Sequence, residues 1–189
     1  MFTLKLEPIF NLSDEQFKQL CSNNPDVKLE RTSSGELVVM SPTGGESGIR
    51  NSLLIARLVV WAEADGTGVV FDSSTMFQLP NGAFRSPDAA WISKNRWEQL
   101  SEAERKTFSP ICPDFVVELR SESDTLKSLQ DKMSEYRDNG VRLGWLIDPI
   151  KQQVEITRIG QAKEVLSNPS QLSGDEVLPG FILSLQGIL

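Results

Sequence analysis

Residues 113–149, PDFVVELRSESDTLKSLQDKMSEYRDNGVRLGWLIDP, decide how this chain folds. The PDFVVEL segment is a short apolar run of the kind that a sheet covers on both faces. Over about 125–139 apolar residues return at helical spacing, with Ser123 or Asp124 placed to cap the start and Gly140 to stop the end. RLGWLIDP then reads as a second buried strand. Strand, helix and strand of these lengths fit a right-handed parallel crossover. In such units functional groups gather where the strand end meets the helix start, and Glu118 and Arg120 stand at that junction.

Working outward, LSDEQFKQL carries a capping box, Ser13 with Gln16 three residues on, ahead of an apolar face of Phe17 and Leu20. VKLER and GELVVMS, joined by the turn formers of 32–35, predict a hairpin. SPTGGESG reads as a loop. The following IRNSLLIARLVVWAEA is apolar nearly all round, which predicts a well-buried helix ended by Asp65-Gly66. GVVFDSS, MFQL and DAAWIS are strands separated by turn residues, 95–107 is a polar peripheral helical stretch, and QQVEIT is a more exposed strand. The order predicts an α/β fold with a mixed central sheet flanked by helices, one domain over 1–189 with its core at about 26–160.

Composition narrows the chemistry. The 189 residues contain no histidine, which excludes Ser-His-Asp and Cys-His catalysis and every histidine metal site. Cys21 and Cys112 are too far apart for a zinc pair and read as buried small hydrophobes. A net charge of -7 argues against a protein that coats nucleic acid electrostatically, though not against an enzyme that meets phosphate through a metal. No apolar run is long enough to cross a membrane, and MFTLKLEPIF lacks the features of a secretion signal, so a cytoplasmic protein is expected.

What remains is carboxylate, lysine, arginine and a bound cation. Asp88, in RSPDAAWIS, and Glu118 each place a carboxylate at the edge of an apolar strand, where it is costly unless paired or holding a cation. On neighbouring strands the two would form a hard oxygen site for a magnesium-like ion.

Pro87-Asp88 followed by Glu118-Leu119-Arg120 resembles the PD-(D/E)XK signature of restriction-endonuclease-like phosphodiesterases, with arginine at the usual lysine position. The wider context of ELVVMSPTGGESG, RSPDAAWIS, PDFVVELRSESD and LQDKMSEYRDNGVRLGWLIDP, from Glu30 to Pro149, resembles the Uma-two family of bacterial endonucleases. The resemblance implies a restriction-endonuclease-like fold and metal-dependent cleavage of nucleic acid, DNA foremost, with Mg2+ or Mn2+. It implies that Asp88 and Glu118 bind the metal, with the Leu119 carbonyl as a third ligand and Glu46 completing the site. It implies that the signature lysine has moved to the helix as Lys132. Helix geometry agrees: Lys132 lies at the margin of the Leu126, Leu129, Met133, Tyr136 stripe, whereas Lys127 points away. Arg120 or Lys132 would orient the water or hold a phosphate oxygen, but an arginine cannot be a general base.

Other readings of these residues stay open. Asp88 could be a turn residue, Glu118 and Arg120 a structural ion pair on one strand face, Lys132 a solvated lysine, and Glu46 a helix-dipole partner. The corresponding alternative function is an inactive interaction or regulatory module on a nuclease-like scaffold. A homodimer is compatible with cutting both strands of a duplex.

Overall fold

The structure, a computed structural model, describes residues 2–189. In chain order its first half contains β1 (Phe2–Leu4), α1 (Asp14–Asn23), β2 (Leu29–Arg31), β3 (Leu37–Val39), α2 (Gly45–Asp65), β4 (Gly68–Asp72), β5 (Phe77–Gln78), β6 (Phe84–Arg85) and β7 (Ala89–Ser93). There follow α3 (Lys94–Glu98), α4 (Glu102–Arg105), β8 (Phe115–Leu119), α5 (Leu126–Asp138), β9 (Leu143–Asp148), β10 (Gln153–Arg158), β11 (Glu164–Ser167), β12 (Gln171–Ser173) and β13 (Ile182–Ser184).

The strand-helix-strand unit is β8-α5-β9, and β8 pairs with β9 in parallel. It forms the centre of a six-stranded mixed sheet, β11-β10-β9-β8-β7-β4, in which the other pairings are antiparallel. Every residue of β8 and β9 is buried, as their largely apolar runs require, and the burial takes in Glu118 and Asp148. One face packs against α2 and the C-terminal hairpin β12-β13, burying Leu54, Leu58, Trp145, Phe181 and Leu183. The other face packs against α5 through Leu129, Met133 and Tyr136. A second, antiparallel sheet, β1-β3-β2-β6-β5, shares a smaller core with α1 around Phe17 and Phe84. The architecture is thus an α/β domain with a mixed central sheet between helices. Among the described residues no helix is long and apolar enough to cross a membrane.

Several local expectations change. The long helix begins at Gly45, inside the stretch read as loop, because Gly44 takes the extended N-cap conformation and the next residues are already helical. Only one stripe of α2 is buried, Leu54, Leu58 and Ala62, while Val60 stays 69% exposed, since the helix lies on one sheet face with no layer outside it. Thr125, not Ser123 or Asp124, caps α5, its hydroxyl accepting from the Ser128 amide. The capping box at Ser13 and the left-handed Gly66 after α2 form as the sequence predicts. The core also runs past 160: Leu172, Leu178, Phe181, Leu185 and Ile188 belong to the α2-side cluster.

Two glycines set how closely layers approach. A Cβ on Gly68 would lie 2.2 Å from the Trp91 ring and 2.5 Å from the Ile92 carbonyl oxygen, while one on Gly144 would meet the tip of Met133 at 2.5 Å. Backbone cannot yield as a methionine methyl can. Gly68→Ala should therefore lower the thermal midpoint by several degrees, given an overpacking cost of about 1–3 kcal/mol. Gly144→Ala should lower it by less, and paired melting curves test the order.

Candidate active site

The register of the central sheet brings the two signature carboxylates together. β7 and β8 pair with Ala89 opposite Val117 and Ala90 opposite Val116. Continued one residue past the paired strands, the same register puts Asp88 across from Glu118, whose carboxyl its charge raises. Strand alternation then gives them a common face. Val116 and Ala90 lie on the α5 side, and Glu118 and Asp88 are each two residues away from one of them. Asp88 Oδ2 accepts from the Leu119 amide at 2.8 Å, closing the end of the ladder where β7 has not yet begun. N–H and C=O of one extended residue point the same way, so the Leu119 carbonyl is turned toward Asp88 too.

Lys132 comes in from α5 with its ammonium buried, 2.9 Å from Glu118 Oε1 and 2.8 Å from Glu30 Oε1. It also donates to the Ser86 carbonyl at 3.3 Å. It is therefore not a solvated lysine; its stem follows the apolar stripe to the sheet edge, as helix geometry predicts. Tyr136, one turn further on, donates its hydroxyl to Glu118 Oε1 at 3.1 Å. Glu30 and Arg85 were not singled out from sequence. Glu30 on β2 accepts from the Ser86 amide at 2.8 Å and pairs with Arg85 at 3.1 Å, and Arg85 in turn meets Glu135 at 2.5 Å. Their only local signal was charge within short strands of a hairpin region; the Glu30–Lys132 bond spans 102 positions.

Burial and charge set the ionisation of this group. Burial pushes the Glu118 carboxyl up, Lys132 opposes it, and Asp88 and Glu30 add to it, leaving it at about 7. Asp88 is also raised, by burial, against the lowering effect of the Leu119 amide and Lys132. For Glu30, burial is outweighed by Lys132 and Arg85, which hold it at about 2. For Lys132, burial is outweighed by Glu118 and Glu30, which keep it above the usual lysine range and charged at neutral pH.

These groups line one cleft of about 860 Å³ between the two sheets, the start of α2 and α5. Asn51 of α2 lines it too. Glu46 and Arg120 are placed elsewhere, in an adjoining groove of about 450 Å³ with Arg50. Glu46 is exposed and lies 3.8 Å from Arg50, one helical turn on. Arg120 is not paired with Glu118: β8 ends at Leu119, and the guanidinium turns to Asp148 at 2.8 Å and to the Asp124 carbonyl at 3.4 Å.

The donors suit a hard divalent cation. Asp88 Oδ1 and Glu118 Oε2 make no hydrogen bond within the described residues. Among the described residues no three Asp, Glu, His or Cys side chains form a ready-made metal cluster, so any site is built from two carboxylates with neutral oxygens.

The Uma2 family model, described as "Putative restriction endonuclease", matches residues 14–186, and the chain belongs to that family. The fold is similar to a crystal structure described as "a putative nuclease belonging to DUF820" from Anabaena variabilis ATCC 29413. That likeness has a TM-score of 0.73 at 18% identity and covers 85% of this chain and 88% of the other. No curated protein matches the chain. The family supports a nuclease activity, and the structural likeness shows the fold.

The two perturbed glutamates act in different pH windows. Glu30, held at about 2 against an ordinary 4.5, contributes stability that is present above about 4.5 and lost as pH falls toward 2. Glu118, raised to about 7, binds its proton more tightly when folded, so its contribution declines as pH rises from about 4.5 to 7. In chelator, urea midpoints should therefore fall for wild type relative to Glu118→Gln across pH 4.5–7. Parallel curves for the two proteins would show that Glu118 titrates normally.

Proposed function

We propose that the cleft hydrolyses phosphodiester bonds of nucleic acid, DNA foremost, with a magnesium or manganese ion held by Asp88 and Glu118 and by the Leu119 carbonyl. The observation that carries this reading is the opposition of Asp88 and Glu118 on one sheet face beside Lys132. When bound, the ion supplies a water of lowered pKa and neutralises charge developing on the phosphoryl oxygens.

The chain's own residues do the rest. Eight carboxylates and three cationic side chains line the cleft, so a polyanion is repelled until the carboxylates are neutralised. Lys132 stays charged and therefore does not accept the proton of the attacking water. It anchors Glu118 through Oε1, leaving Oε2 for the ion, and its charge favours the anionic transition state. Glu30 fixes the ammonium from the opposite sheet, which makes it a positioning residue. Arg50 and Arg120 lie in the adjoining groove, but each is already paired, with Glu46 and with Asp148, so that groove adds no net positive charge beside the cleft.

A second reading, a binding module on a nuclease scaffold, is favoured by one observation. The Lys132 ammonium already has three protein partners, hydrogen bonds to Glu30 and Ser86 and an ion pair with Glu118, so its charge is satisfied without substrate.

Plasmid nicking in magnesium or manganese, with and without chelator, separates the two. Wild type should cut only with the ion, and Asp88→Asn should be folded and inactive. Under single-turnover conditions Lys132→Ala should lose about 10²–10³ in rate, the scale of one lost transition-state donor. Arg120→Lys should lose far less, because Arg120 is committed to Asp148. No cleavage by folded wild type under any ion would favour the binding module, and near-wild-type rates for Lys132→Ala would remove that residue from the chemistry.

A further inference from the structure

Three buried side-chain atoms have no hydrogen-bond partner among the described residues: Trp91 Nε1, Trp145 Nε1 and Asn51 Oδ1. The two indoles belong to the apolar core between the central sheet and α2. Asn51 is different, because it lines the cleft that holds Asp88, Glu118 and Lys132. A buried amide oxygen left without a donor costs about 1–3 kcal/mol, so its presence calls for a reason.

Its place on α2 supplies one. Asn51, Leu54, Leu58 and Ala62 follow the spacing of one helix face. Leu54, Leu58 and Ala62 pack in one core cluster with Ala89 and Leu119, the chain neighbours of Asp88 and Glu118. That stripe covers the sheet face opposite Glu118, so Asn51, partly buried one turn before it, meets the two carboxylates only past the sheet end, where all three line the cleft. A polar residue there breaks from the apolar stripe that follows it. The buried orphan atom is the amide oxygen, an acceptor, which suits a cation.

We propose that Asn51 is a ligand of the divalent ion, contributing its amide oxygen from α2 to the Asp88–Glu118 pair. The inference rests on the reading of the cleft as a cation site. Carboxamide oxygens are ordinary ligands of hard cations. Being neutral, this one adds coordination without adding repulsion to two carboxylates already facing each other. It fills from the helix the place that Glu46, exposed in the adjoining groove, does not reach.

Calorimetric titration of the metal-free protein with MnCl2 tests this without recourse to activity. Wild type and Glu46→Gln should bind with the same affinity, and Asp88→Asn should not bind. Asn51→Leu should bind at least about tenfold more weakly, the scale on which partners of a metal site act. Its thermal midpoint in chelator should match or exceed wild type, since the orphaned oxygen is gone. Asn51→Asp should bind more tightly, yet melt lower in chelator because a further carboxylate enters an acidic cleft. Wild-type affinity in Asn51→Leu, with binding lost in Asp88→Asn, overturns the assignment of Asn51 and spares the cation site. Absence of Mn2+ binding by wild type overturns both.

Discussion

The ammonium of Lys132, buried between Glu118 and Glu30, is the interaction on which the rest of the molecule depends. It joins three parts of the fold: α5, which carries the lysine; β8 of the central sheet, which carries Glu118; and β2 of the smaller sheet, which carries Glu30. Arg85 of β6 and Glu135 of α5 extend the same network, tying the smaller sheet to α5 a second time. Removing one member of such a buried set leaves charges unpaired in low dielectric, at a cost of about 3–5 kcal/mol. The cleft therefore has a fixed shape because its walls are held by opposite charges, and not by apolar packing alone.

The balance of that network also bears on what it binds. Glu30, Glu118 and Glu135 face only Lys132 and Arg85, and Asp88 adds another carboxylate beside Glu118. Burial above all, with the neighbouring charges of Asp88 and Glu30 adding to it against Lys132, is why Glu118 holds its proton up to about 7. A divalent cation would relieve the excess of negative charge. In a chain of net charge -7, this is a route by which an acidic protein can accept a polyanionic substrate.

Much of this was legible in the sequence where local patterns decide the outcome. The β8-α5-β9 crossover follows from two largely apolar runs around one helical period, and the Asp88–Glu118 pairing follows from placing both residues at strand edges. Lys132 came from the family resemblance, with which its angle on the helix is compatible. The partners across the two sheets were not legible, because Glu30 reaches Lys132 only through tertiary contacts. Arg120 misled for a related reason: two-residue alternation gives it the face of Glu118 only if the strand continues, and the strand ends one residue earlier. Asn51 carried a usable signal, a polar residue one turn before the buried stripe of α2, hidden by reading that helix as apolar nearly all round.

The central claim is that the carboxylates of Asp88 and Glu118 share one divalent ion. The most direct measurement is an anomalous difference map from crystals soaked in MnCl2, collected near the manganese edge. The account predicts a strong peak between the Asp88 and Glu118 carboxylates, with Lys132 still bound to Glu30. A map with no peak there, while Lys132 continues to span Glu30 and Glu118, would contradict it and leave the cluster a structural ion network.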